Sequence, residues 1–307
     1  MPSGKYEIFD GHCDTIHKVR AGRSLFDSTL HFNLSATNKY SKYIQVMAVW
    51  IDRKNTEDCF VSALQGLETC CALEETCPII KTADDLLSFR TGVGFILGIE
   101  GGDALVGNIK NLQHLFDKGV RLITLTWNHT NEIADTAVDT EARGGLTSFG
   151  RTVVMDMERL GMAVDVSHIS ESAFWDVMDI AAKPVIASHS CAKAVCPHVR
   201  NLTDAQFDAL CKNGGIVGIN FYPTFLGGDT IDDILRHIIH FLARGGEEHI
   251  GFGSDFDGVD RLPSGMQGAE DMHRLVERLL QENISENIVR KVIFQNMEQY
   301  FLRVLPK

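Results

Sequence analysis

Tyr6-Glu7-Ile8-Phe9-Asp10-Gly11-His12-Cys13-Asp14 is the stretch on which the fold turns. It begins as an apolar run and ends in an imidazole, a thiol and a carboxylate. Successive side chains of an extended segment point to opposite sides, so His12 and Asp14 face one way and Cys13 the other. That is the profile of a strand with a buried body and a chemical tip. The plan recurs along the chain, at 43–51, 94–101, 121–127, 163–168, 184–189, 214–220 and 249–256, which with 6–14 predicts eight strands. Most are too apolar to have a wet face, as expected of parallel strands covered on both sides.

The segments between them read as helices with legible ends. Thr82 and Ser170 stand where N-caps belong, and Thr203-Asp204-Ala205-Gln206 has the capping-box form. Gly92, Gly119, Gly161 and Gly245-Gly246 follow the predicted helices as stops. Helices are predicted over 83–90, 104–118, 150–159, 171–182, 207–212, 229–244, 269–281 and 285–303. Residues 15–38 have no clean helical period and are expected to form a long loop over the active-site end. Strands alternating with helices in this number predict an α/β fold, a closed (β/α)8 TIM-type barrel of the metal-dependent hydrolase kind. With no linker, repeat or low-complexity stretch, one domain over 1–307 is expected.

The bulk properties agree. An apolar fraction of 44% is ample for a large core. Lys plus Arg number 29 against 41 Asp plus Glu, a net charge of −12, which repels nucleic acid and anionic lipid. Residues 1–5 show no basic leader to an apolar segment, and no apolar run reaches the ~18 residues of a membrane span. The 8 cysteines include no Cys-x-x-Cys pair, and Cys59, Cys70, Cys71 and Cys77 fit helical spacing better than a zinc cluster, so free thiols are expected.

A barrel keeps its chemistry at the C-terminal ends of its strands. Strand one ends in His12 and Asp14, strand three in Glu100, strand five in His168, strand six in His189 and strand eight in Asp255. Any one of these taken alone is as well explained as a satisfied histidine or a helix cap. Together they put carboxylates and imidazoles at one rim, a donor set that suits zinc or a similar divalent ion. Five ligands, one of them bridging, suit two ions about 3.5–4 Å apart. His237 and His240, three apart on a predicted outer helix, and His198 are expected at the surface. No serine lies in a Gly-x-Ser-x-Gly elbow, and no glycine pair has the context of a phosphate loop.

With these residues in place the chain resembles the membrane (renal) dipeptidase family of zinc peptidases. The resemblance runs through Asp10-Gly11-His12-Cys13-Asp14, Gly98-Ile99-Glu100-Gly101, Arg121 to Thr126, Gly150-Arg151, Leu160 to His168, Ala187-Ser188-His189-Ser190, Arg200 to Asp204 and Gly253 to Gly258. It implies hydrolysis of dipeptides, including those ending in a D-residue, by a hydroxide that bridges two zinc ions. His12 and Asp14 would hold one ion, His168 and His189 the other, and Glu100 would bridge them. Asp255 would move protons, Arg200 would bind the substrate carboxylate, and Tyr222 would lie near it. The family's mammalian members have a substrate-binding histidine where this chain has Trp127. His129 is expected to replace it, with Asn128 pointing elsewhere. The resemblance also implies a cytoplasmic protein of bacterial type without a lipid anchor, and a homodimer. A cyclic-amide hydrolase or deaminase is the rival within metal barrels, disfavoured because Asp14 stands where such enzymes place a second histidine. A barrel serving only as a binding protein is the rival from outside, and the full ligand set argues against it.

Overall fold

The computed structural model of the chain describes residues 6–139 and 144–307. Residues 1–5, with their expected lack of a secretion signal, lie outside that description.

Eight parallel strands close into a barrel in sequence order: β1 (Glu7–Cys13), β2 (Lys42–Trp50), β3 (Gly92–Glu100), β4 (Val120–Thr124), β5 (Ala163–Asp165), β6 (Ile186–Ala187), β7 (Ile216–Ile219) and β8 (Ile250–Phe252). The expected architecture is what is found. Strand positions facing the barrel interior and positions facing the helices, Phe9, Val46, Ile96, Ile123, Val217 and Phe252 among them, are alike buried, which is why the strands lack a polar face. The predicted caps hold: Thr82 and Thr203 each form a capping box, and Ser170 accepts from the Ala173 N–H.

Several boundaries differ, each for a physical reason. Residues 15–38 are not one loop; Thr15–Arg20 and Leu34–Thr37 are helical, each too short to impose a period on the sequence. The last predicted helix is broken by a π turn over Lys291–Gln295, which lays Phe294 against Phe9, ring centroids 5.8 Å apart. β5, β6 and β8 are shorter than predicted because the chain leaves the ladder before its polar ends. His168 and Asp255 have φ of 67° and 63°, values no strand residue takes.

All eight cysteines are unpaired. Among the described residues no helix is long and apolar enough to cross a membrane.

The seam between β1 and β8 is brief. Asp10 pairs with Phe252 and Cys13 with Phe256, and the buried Asp10 carboxylate accepts the Ser254 N–H at 2.8 Å. Nearby, Gly218 of β7 and Gly253 after β8 press their backbones against the Ser188 carbonyl oxygen, leaving no room for a Cβ at either position. Gly253→Ala must therefore displace the segment that carries His189. Overpacking of this kind costs roughly 1–3 kcal/mol, and urea unfolding of Gly253→Ala against the parent should register it.

Candidate metal centre and cleft

Five strands bring their ends to one mouth. His12 lies inside β1 and Asp14 one residue past it, and a register shift in β1 between Asp10 and Cys13 turns this end inward. The His12 Nε2 stands 3.4 Å from Asp14 Oδ2 and 3.7 Å from Glu100 Oε1. Cys13 points the other way, to Met47, as strand alternation requires. Glu100 closes β3. Its Oε1 is 3.0 Å from His168 Nε2 and 3.3 Å from His189 Nε2, and those two nitrogens are 2.9 Å apart.

The far side of each imidazole decides what this contact means. Ser188 Oγ donates to Asp165 Oδ2 at 2.6 Å and so accepts from His189 Nδ1 at 2.7 Å. His168 Nδ1 donates to Asn128 Oδ1 at 2.9 Å. With both protons on Nδ1, each Nε2 presents a lone pair, and both are aimed at a carboxylate oxygen. Three acceptors so close repel unless a proton or a cation lies among them. His12 has no hydrogen-bond partner on either ring nitrogen, and Asp14 Oδ1 has none, although these atoms are buried. Donor atoms of His12, Glu100 and His189, and of His12, Asp14 and Asp255, lie within 4.8 Å of one another. The residues fit divalent ions.

The electrostatics agree. Burial, then the charges of Asp14 and Asp255, push the Glu100 carboxyl well above its usual range, while His12 opposes. Burial pushes His168 and His189 well below the ordinary imidazole value, with Arg200 and His12 adding to it. Burial would lower His12 as well, but Glu100 and Asp14 raise it to about 10. Burial raises Asp255. The site thus gathers acidic groups and imidazole lone pairs that a bound cation would satisfy.

A cleft of 570 Å³ opens above these residues. Its lining includes Asp14, Glu100, His168, Asp255, Arg200, Tyr222 and Trp127, so the structure brings these expected residues together. Arg200 is 5% exposed, and burial lowers it to about 10. It lies 5.5 Å from the Phe225 ring, has no carboxylate partner within 4.0 Å among the described residues, and leaves its Nε unpaired. It is a buried cation facing a cleft. Asn220 accepts the Tyr222 N–H at 2.6 Å and donates to Asp255 Oδ2 at 2.9 Å, tying both residues to the end of β7.

Three expectations are corrected. His129 does not line this cleft; its Nε2 is 3.8 Å from Asp52 beside an outer pocket, and Asn128 faces the cleft instead. Alternation misled because β4 ends at Thr124 and the chain turns before these residues. His198 is not simply at the surface: it lines the cleft and accepts the Arg200 N–H at 3.2 Å. His237 is fully buried, accepting from Ala192 N at 3.0 Å and paired with the Leu226 carbonyl at 3.1 Å; it braces the loop that leads to Arg200. His240 pairs with Asp204 at 2.8 Å, partly exposed.

Other contributors carried weaker signals. Asp165 receives Thr124, Ser167 and Ser188, a carboxylate in an apolar strand that the sequence does display. Asp257, at φ 63°, accepts from Thr15 Oγ1 at 2.6 Å and from the His31 and Phe32 N–H groups, anchoring residues 15–38 to the rim. A Cβ at Gly258 would collide with the Asp14 and Asp255 carboxylates. Trp50 packs edge-on against Trp127, centroids 4.8 Å apart.

Fold and site together define a (β/α)8 barrel of the class that mounts a metal centre at its C-terminal rim. The chain belongs to the membrane dipeptidase family, peptidase family M19, whose profile matches residues 4–307. Among curated relatives, the "Dipeptidase tcpJ" of Claviceps purpurea is 39% identical over 226 residues, 70% of this chain and 52% of the relative. An "uncharacterized dipeptidase", C965.12 of Schizosaccharomyces pombe, is 36% identical over 229 residues, 71% and 55% of the two chains. The chain spans about half the length of the curated relatives it matches. Among solved structures, a family M19 metallopeptidase called dipeptidase AC superposes with a TM-score of 0.90 at 25% identity, covering 99% of this chain and 100% of that one. A Rhodobacter sphaeroides metallopeptidase, liganded with a phosphinate mimic of L-Ala-D-Ala, gives 0.87 at 25% identity over 98% and 99%.

Two outcomes follow from the geometry. Gly258→Ala should lower metal content at little cost in secondary structure, read by elemental analysis and circular dichroism. His237, held near pKa 4 by burial against an unfolded value near 6.5, stays neutral when folded. Its contribution is complete above pH 6.5 and drains away as pH falls toward 4, because the unfolded chain alone takes up the proton. By pH 4.5 this amounts to about 2 kcal/mol. In His237→Gln, which retains a donor and an acceptor, unfolding free energies at pH 7 and 4.5 should differ by that much less than in the parent.

Proposed function

We propose that this chain is a dipeptidase that works with two zinc ions and accepts dipeptides with a C-terminal D-residue. One observation carries the reading: imidazole and carboxylate atoms without protein partners converge at the same cleft as a buried Arg200 that has no carboxylate partner. A cation-demanding cluster next to a lone guanidinium matches a substrate with a scissile amide near a free carboxylate. Family membership, the dipeptidase names of the relatives and the dipeptide mimic in the Rhodobacter structure support it.

In this reading residues 1–307 form one catalytic barrel. His12 and Asp14 would hold one ion and His168 and His189 the other, with Glu100 shared between them. Bound there, two zinc ions supply Lewis acidity toward the scissile carbonyl and a hydroxide nucleophile near neutral pH.

The protein's own groups do the rest. Arg200 takes the terminal carboxylate in its planar fork, which restricts substrates to those with a C-terminus one residue from the scissile bond. Asp255, raised by burial and steadied by Asn220, accepts a proton and delivers it to the departing amine as the C–N bond breaks. Trp127 and Tyr222 wall the cleft and keep bulk water from the reacting bond.

Elemental analysis should find two zinc ions per chain, and a panel of L,L and L,D dipeptides should include substrates. Asp255→Asn should keep its metal and lose at least about 100-fold in kcat; full activity would remove Asp255 from the mechanism. Arg200→Met should raise KM by about 10- to 100-fold, the worth of a charge-assisted hydrogen bond, and abolish the preference for a free carboxylate over its amide. Less than one zinc ion per chain, with no dipeptide turned over, would sink the proposal.

A further inference from the structure

The turn after β4 places Asn128 between the metal centre and the open cleft. Its Oδ1 lies 2.9 Å from His168 Nδ1, and the residue lines the 570 Å³ cleft. An amide oxygen only accepts, so the contact holds the proton of His168 on Nδ1 and leaves the lone pair on Nε2, 3.0 Å from Glu100 Oε1. The reverse amide orientation would put that proton on Nε2, and His168 would have no lone pair to offer a cation.

The other end of the same amide is just as telling. Asn128 Nδ2 has no hydrogen-bond partner among the described residues and opens to solvent, on a residue that borders both the cleft and the outer pocket beside His129. The amide is planar. With Oδ1 held by His168, Nδ2 stays on an amide that borders the cleft beside a candidate ligand. His129 competes for neither task, since it stands against Asp52.

We propose that Asn128 does two jobs through one group: Oδ1 positions His168 as a ligand, and Nδ2 donates a hydrogen bond to the substrate's scissile carbonyl oxygen as negative charge develops on it. The first is a positioning role, as a hydrogen bond on the outer face of a ligating imidazole fixes its tautomer and orientation. The second is a catalytic role, worth most where a donor is fixed before the charge appears. This inference rests on the dipeptidase reading for its second half only.

The two roles separate by substitution. Asn128→Asp keeps an acceptor for His168 and replaces the donor with a repelling oxygen; Asn128→Ala removes both. Zinc affinity, measured on the full chain by chelator competition, should weaken 10- to 100-fold in Asn128→Ala and stay within threefold of the parent, or tighten, in Asn128→Asp. On L-Ala-D-Ala the zinc-saturated Asn128→Asp protein should lose about 100-fold or more in kcat, with KM changed far less. Melting of the metal-free proteins checks that each variant folds, and Asn128→Ser stands in should Asn128→Ala not. An alanine or serine variant that binds zinc as the parent does overturns the positioning role. An aspartate variant with parental kcat overturns the donor role. If the parent hydrolyses no dipeptide, the functional reading fails, while the zinc-binding arm still decides the hold on His168.

Discussion

The constraint behind the whole structure is the meeting of His168 Nε2, His189 Nε2 and Glu100 Oε1 within 3.3 Å. Two imidazole lone pairs and a carboxylate oxygen so close hold together only around a shared proton or a cation. The remainder of the mouth is built to maintain it. Asp165 and Ser188 hold His189 from behind, Asn128 holds His168, and the short strands β5 and β6 leave those histidines free of the ladder. Folding energy from the barrel core keeps in place an arrangement that the site alone would fly apart to avoid.

Much of this was legible because strand periodicity and metal chemistry are both local signals. The apolar runs that predicted parallel strands became those strands, and His12, Asp14, Glu100, His168, His189 and Asp255 could be assigned to a rim from position alone. The failures have separate physical causes. Alternation is a rule for extended chain, and it was applied to residues 127–129, where β4 has already ended; hence Asn128 and His129 exchanged places. His237 was misread because helical spacing gives a face but not what covers it, and here the loop from Cys191 to Leu202 covers it. Gly258 and Asn220 left no trace, since their importance lies in what they touch from another strand.

Arg200 and the acidic cluster illustrate how one cleft can hold opposite charges without neutralising them. Arg200 is buried yet pairs with no carboxylate, although Glu100 and Asp255 are near enough to influence its protonation. The loop braced by His237 and capped by His198 keeps it at that remove. The result is a polarised cavity, with a cation on the β6–β7 side and acidic ligands at its floor. A small zwitterionic or carboxylate-bearing molecule entering it meets a preset orientation rather than a neutral wall.

The brief seam between β1 and β8 also has a temporal meaning. His12 and Asp14 are made well before Asp255, which borders the same cluster, and Ser254, which locks Asp10. A nascent polypeptide has every other donor in hand before β8 leaves the ribosome, but no closed wall to hold them. Completion of the barrel and assembly of the ion-binding mouth are therefore a single late event. Until Ser254 is made, Asp10 lacks the lock that joins β1 to β8.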